Sequence, residues 1–242
     1  MKVFTAQEGL KRYLNTLSPS ANEIGLVPTM GSLHSGHLSL IEQSKKQNDC
    51  TFVSIFVNPT QFDKKEDLEK YPRTLEKDLN LLREKTCDVV YAPSIQDIYQ
   101  QNVSSQKFDF DGLETEMEGK YRIGHFDGVG TIVKALLEIV NPTNAYFGEK
   151  DFQQLQVIRK MVKKYHLPVN VVSCPIFREA NGLAMSSRNG YLTAEEKHSA
   201  AALKQALDTI VEAIKHGEST EVAIVTAKKQ LTNAGFTPDY LE

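Results

Sequence analysis

Short apolar runs alternate with amphipathic stretches along the first 174 residues, and that alternation limits the possible folds more than any other feature. Strands are expected at 24–27, 51–57, 88–92, 145–147 and 169–173, with helical periodicity at 36–48, 74–84, 129–140 and 151–165. Strands separated by helices pair in parallel through right-handed crossovers. The run Phe52-Val53-Ser54-Ile55-Phe56-Val57 lacks a polar face, as suits a strand covered on both sides. Residues 1–174 therefore read as an α/β domain with a Rossmann-like, doubly wound parallel sheet. After Cys174-Pro175 the alternation stops. A short strand is expected at 176–179, a turn at Asn181-Gly182, a helix from the N-cap Thr193 to about Ile214, and another over 219–233. Residues 175–242 thus form a second, smaller C-terminal domain.

In such a sheet, ligands bind beyond the carboxyl ends of the strands. The segment from Val27 to His37 joins the first strand to the first helix and carries His34 and His37. Residues three apart on a first helical turn share a face. The helix N-terminus adds unpaired N–H groups and a positive dipole end, and Gly36 lets a phosphate approach the backbone. This reads as a triphosphate site; two histidines that merely cap a helix are the plainer alternative. Asn58 and Gln61 follow the second strand, and such amides suit a small hydroxy acid, against a simple cap and turn. In Gly148-Glu149-Lys150-Asp151, Lys150 offers a compact charge for phosphate and Asp151 an acceptor for ribose, against a solvated turn. Gln153 and Gln154 open the next helix, and Arg122, Gly124, His125 and Asp127 precede another. Met185-Ser186-Ser187-Arg188-Asn189 sets two hydroxyls before a guanidinium. Such a segment can close on a polyphosphate as the second jaw of a clamp, or be a serine-rich turn.

Charge narrows the partners. With 28 basic and 31 acidic residues, the chain has no global field for nucleic acid. No apolar run approaches the length of a membrane span, and the N-terminus lacks a signal-peptide core. Cys50, Cys87 and Cys174 are widely spaced, which suits a reducing cytoplasm and small buried hydrophobes. A local basic pocket is still allowed, because net charge says little about one cleft.

Taken in order, PTMGSLHSGH, FVNPTQF, YPRT, FGEKDFQQLQVIR, REANGLAMSSRNGYL and PDYLE span nearly the whole chain. This set resembles the pantothenate synthetase (pantoate–beta-alanine ligase) family of the H-x-G-H nucleotidyltransferases. The resemblance implies ATP-dependent condensation of (R)-pantoate with beta-alanine through a pantoyl adenylate, giving pantothenate, AMP and diphosphate, with Mg2+, in a homodimer. It implies an ATP site from Met30, Gly31, Ser32, Leu33, His34, Ser35, Gly36 and His37. Gly148, Glu149, Lys150 and Asp151 would hold ribose and phosphate, and Met185, Ser186, Ser187 and Arg188 would close on the nucleotide. His34, His37, Lys150 and Arg188 would be the catalytic positive groups, and Gln61 and Gln154, with Asn58, would bind pantoate. Phe177 stands near adenine where the family usually has valine. Asp78 is the magnesium candidate, beside Lys77 where an acidic residue is usual. Ile123 replaces the proline of R-P-G-H-F. Family members continue for several dozen residues past P-D-Y, so the C-terminal domain is expected to be shortened.

Two other readings share these residues. A related transferase moving AMP onto a phosphate ester would keep His34 and His37 without needing Gln61 or Gln154. A non-catalytic nucleotide or pantoate binder would show binding without turnover.

Overall fold

Six strands make one sheet in the computed structural model, which describes residues 1–17 and 23–242. They are β1 (Lys2–Phe4), β2 (Ile24–Thr29), β3 (Cys50–Ile55), β4 (Val89–Tyr91), β5 (Asn144–Gly148) and β6 (Asn170–Cys174). All pair in parallel, in the order β1-β4-β3-β2-β5-β6. This is the doubly wound arrangement that the alternation predicts. Successive residues of a strand face opposite sides. Leu26, Phe52, Val89 and Ala145 accordingly enter one core, and Val27, Val53, Val90 and Tyr146 the other.

The helices around the sheet are α1 (Gln7–Leu14), α2 (Ser35–Gln47), α3 (Lys65–Lys70), α4 (Leu75–Glu84), α5 (Ile95–Tyr99), α6 (Glu118–Tyr121), α7 (His125–Val140) and α8 (Phe152–Lys164). Leu10 of α1 joins α7 and α8 on the first core, while Leu40 and Ile41 of α2 meet Leu79 and Leu82 of α4 on the second. α7 starts at His125, ahead of the expected residue 129. Its first two turns hold Asp127, Gly128 and Gly130, which weaken a helix by up to about 1 kcal/mol each. Phe126, Val129, Ile132, Val133, Leu136, Leu137 and Val140 are all buried there, at about 1.5–3 kcal/mol per side chain, and burial wins.

Among the strands and α-helices above, β1, α1, α3, α5 and α6 escape the sequence pattern. β1 is a three-residue edge strand, too short for a period. α1 has its first N–H supplied from a distance: Gln7 N donates to Asp97 Oδ1 and Oδ2 at 3.0 and 2.9 Å.

These elements belong to one compact unit, Met1–Ile176; Phe177–Glu242 forms the other. The second unit contains α9 (Ala194–Ala200), α10 (Ala202–Lys215) and α11 (Thr220–Asn233). The single helix expected over 193–214 is two, because Ala201 N donates to His198 O and tightens the chain there. Its start is the expected N-cap Thr193, which forms a capping box with Glu196. In place of a strand at 176–179 there is one antiparallel bridge, Arg178↔Ala184. Ala206, Ala227 and Leu231 make this unit's small core. Among the described residues no helix is long and apolar enough to cross a membrane. Cys50, Cys87 and Cys174 are buried free thiols.

Candidate active site

Strand order reverses at β2. Its crossover through α2 leads to β3 on one side, whereas β5 and β6 lie on the other. The β2–β3 ladder runs from Ile24↔Cys50 to Thr29↔Ile55, but β2 pairs with β5 only at Gly25↔Asn144 and Leu26↔Ala145. Beyond those pairs the two strand ends part, which opens the crevice where doubly wound sheets bind ligands. The histidine turn leaves β2 there, and the Glu149–Asp151 turn leaves β5.

The path from β2 into α2 is held by side chains. Thr29 Oγ1 donates to Ser54 O at 2.7 Å and accepts from Gly31 N at 3.2 Å. Gly31 and Ser32 both take positive φ, 77° and 49°. A Cβ on Gly31 would sit 3.0 Å from Asp78 Oδ2 and 3.1 Å from Ile55 Cγ2, so glycine suits both the backbone and the space. Asp78, only 1% exposed, fastens this turn. Its Oδ2 accepts from Ser32 N at 2.9 Å and its Oδ1 from Leu33 N at 2.8 Å; Thr74 Oγ1 adds a third bond at 3.2 Å. This corrects the metal expectation, because a buried carboxylate engaged on both oxygens by backbone N–H groups does not suit a direct magnesium ligand. Among the described residues no group of three His, Cys, Asp or Glu side chains is placed to hold a metal.

His34 is the N-cap of α2, and the two histidines form a reciprocal capping box. His34 Nδ1 accepts from Gly36 N at 3.2 Å, and His37 Nδ1 accepts from His34 N at a longer 3.4 Å. The rings lie side by side, centroids 4.0 Å apart. A backbone N–H can only donate, so each Nδ1 carries a lone pair and each Nε2 the proton. Burial, and then the charge of Lys150, lowers the pKa of His34. Burial, His34 and Lys150 together lower that of His37 to about 3. The histidines are therefore neutral N–H donors at neutral pH, which corrects the expectation that they act as positive groups. Capping and ligand binding are compatible, since capping consumes only the Nδ1 side.

Lys150 supplies the charge at this edge. Its Nζ lies 3.0 Å from Asp151 Oδ1 in an exposed pair. The two glutamines after it diverge. Gln153 is a brace: its Oε1 accepts from Glu118 N at 3.0 Å, and its Nε2 donates to Leu113 O and Glu116 O at 2.8 and 2.7 Å. Gln154 is half-buried, and its amide has no hydrogen-bond partner among the described residues.

Gln61 sits in a turn, Pro59–Gln61, that packs under α7. Asn58 is fully buried, so it orients other groups. Its Nδ2 donates to Gly128 O at 3.0 Å and to Gln61 Oε1 at 3.1 Å. Its Oδ1 accepts from Thr60 Oγ1 at 3.2 Å and from the Tyr99 hydroxyl. The backbone of Gln61 is held separately: His125 Nδ1 donates to Gln61 O at 2.7 Å, and Arg122 Nη2 reaches the same oxygen at 3.3 Å. Burial, the largest influence, lowers the His125 pKa. With Arg122 Nη1 3.4 Å from its Nε2, the ring is a neutral Nδ1–H donor. Gly128 is required by closeness, because a Cβ there would lie 2.3 Å from Thr60 O. Sequence reasoning missed Tyr99 and Gly128. Neither left a usable signal, since Gly128 lies ahead of the helix expected from residue 129 and Tyr99 is far along the chain from its partner.

Phe177, Met185, Ser186, Ser187 and Arg188 belong to the second unit. Here Met185 N bonds Phe177 O, and Gly182 turns the chain at φ 90°. Asn189 Nδ2 ties Glu179 Oε1 to Ala184 O, at 2.9 and 3.1 Å. Ser186 Oγ accepts from Arg188 N at 3.2 Å, capping the turn Ser187–Tyr191. The Phe177 ring is exposed.

Comparison with known proteins is consistent across the chain. The family model described as pantoate-beta-alanine ligase matches residues 2–242. A pantothenate synthetase of Flavobacterium psychrophilum is 51% identical over 245 residues, covering 100% of this chain and 86% of the relative. One from Acinetobacter baumannii is 43% identical with the same coverage. The crystal structure of pantothenate synthetase from Thermus thermophilus superposes with a TM-score of 0.93 at 40% identity, covering 100% of this chain and 86% of that one. A pantoate-beta-alanine ligase from Francisella tularensis, complexed with beta-gamma ATP and beta-alanine, gives 0.81 at 36% identity, covering 95% and 86%.

Proposed function

This chain belongs to the pantoate-beta-alanine ligase family, which condenses pantoate with beta-alanine using ATP, and we propose that it does so through a pantoyl adenylate. The observation that carries the proposal is the pairing of two neutral histidine Nε2–H donors with the Lys150 charge where strand order reverses. Such a site suits phosphate oxygens that gain charge during transfer.

Pantoate's carboxylate, with a pKa of about 4, is already an anion at neutral pH and needs no general base. Its oxygen bonds to the α-phosphorus of ATP as the bond to the bridging oxygen breaks and diphosphate leaves. His34 and His37 donate to phosphate oxygens, and Lys150 offsets their charge. Gln61 and Gln154 bind pantoate. Gly148, Glu149 and Asp151 hold ribose and phosphate, and Phe177 and Met185 to Arg188 bind the nucleotide. The amine of beta-alanine, with a pKa of roughly 10, loses a proton and attacks the acyl carbon, and AMP leaves. Asp78 is engaged with backbone N–H groups, so magnesium would be carried by the phosphates of ATP, where it would screen the charge of the leaving diphosphate. Family resemblance supports a homodimer, and an ATP-consuming biosynthetic reaction suits the cytoplasm.

The test is isotope exchange between ATP and pyrophosphate. Exchange should require pantoate and proceed without beta-alanine. Exchange seen only when beta-alanine is added would overturn the free adenylate.

A further inference from the structure

We infer that Tyr99 is a positioning residue for pantoate, acting through Asn58 to fix which end of the Gln61 amide faces the substrate; this rests on Gln61 being a pantoate ligand. The argument is one of forced donors and acceptors. Gly128 O can only accept, so the Asn58 atom 3.0 Å from it is the N–H2 end. That end's other hydrogen points at Gln61, 3.1 Å away, so Gln61 meets it with Oε1. The Gln61 Nε2 is left without a partner among the described residues, and it offers both hydrogens to a ligand. A pair of N–H donors suits carboxylate and hydroxyl oxygens. An inverted Gln61 would aim its carbonyl at the carboxylate and repel it.

Tyr99 closes the logic from the other side. Its hydroxyl donates to Asn58 Oδ1, and Thr60 Oγ1 lies 2.9 Å from the same hydroxyl and 3.2 Å from that Oδ1. Burial raises the Tyr99 pKa, which keeps the hydroxyl protonated across the neutral range. Gly128 O fixes this end of Asn58 as its oxygen, and the Tyr99 hydroxyl holds it there by donating to it, with Thr60 Oγ1 sharing its own hydrogen between that Oδ1 and the Tyr99 oxygen. Tyr99 ends α5, after β4, and Asn58 follows β3, so neighbouring strands deliver both residues to one place. Asn58 is fully buried, and the bonded path from Tyr99 to the Gln61 amide runs through it.

The experiment is steady-state kinetics of the full chain carrying Tyr99→Phe, with melting temperature measured alongside. The pantoate KM should rise about tenfold, while the ATP KM stays within twofold and the melting temperature holds. In a Gln61→Ala background, Tyr99→Phe should add nothing to the pantoate KM, because its effect passes through the missing amide. If Tyr99→Phe melts below the assay temperature, Thr60→Val reads the same relay through the second hydroxyl. An unchanged pantoate KM, an equal rise for ATP, or a full-sized effect in the Gln61→Ala background overturns the inference. A wild-type chain that forms no pantothenate from pantoate, beta-alanine and ATP overturns the functional reading itself, and the inference with it.

Discussion

His37 shows how one side chain couples folding to acidity. Its pKa falls from about 6.5 in an unfolded chain to about 3 in the fold, chiefly through burial. Between those values the unfolded chain holds more protons than the folded one, so stability rises with pH across that window and levels off above it. His34 and His125 shift in the same direction and add to the slope. We expect His37→Gln to make the change in urea midpoint between pH 4.5 and pH 7 smaller than in the wild type. An unaltered change would mean that the ring keeps its proton on folding. In the proposed reaction the same neutrality would leave phosphate binding to N–H donation and to Lys150, while Asp78 shapes the turn through Ser32 N and Leu33 N.

At the scale of elements, two helical glycines make opposite predictions. Gly128 of α7 touches the Pro59–Gln61 turn so closely that a Cβ would meet Thr60 O, Thr60 C and Gln61 N at 2.3, 2.5 and 2.6 Å. These are backbone atoms, so the turn and Gln61 must move. Gly128→Ala should destabilise the fold by about 1–3 kcal/mol despite alanine's better helix propensity, and it should raise the pantoate KM. Gly9 of α1 meets only the Phe4 ring, at 3.5 Å, and Gly9→Ala should stabilise by about 0.5–1 kcal/mol in a denaturant titration. The five strands β2 to β6 were legible because each lies in an apolar run, and the shared face of His34 and His37 was legible from their spacing. The first turn of α7 was not. Asp127 and Gly128 look like loop residues until their tertiary reasons appear, the carboxylate of Asp127 accepting from Phe108 N at 3.0 Å and Gly128 lying against Thr60. Tyr99 left no local trace, since its partner is 41 residues away. Histidine neutrality was equally hidden, because it follows from burial and from which nitrogen each cap uses.

For the molecule as a whole, the sheet is the frame that gathers distant residues: β2, β3 and β5 each end in a segment of the candidate site, and α7 locks one of them. The three buried thiols give that frame a use of another kind. Cys50 opens β3 in the middle of the sheet, Cys87 precedes β4, and Cys174 ends β6 at the edge. Burial pushes their pKa values up to about 11, 12 and 11. Only exposed thiolate reacts quickly with disulfide reagents, so each sulfur stays silent until its surroundings open. The chain thus carries three natural clocks for breathing of the sheet, with no label to introduce. Timed alkylation read by peptide mass spectrometry should find Cys174 modified first, by fraying of the edge strand. Cys50 and Cys87 should follow together, at a rate that climbs steeply with added urea because only global opening frees them. Equal rates at all three would mean that this sheet opens as a single body.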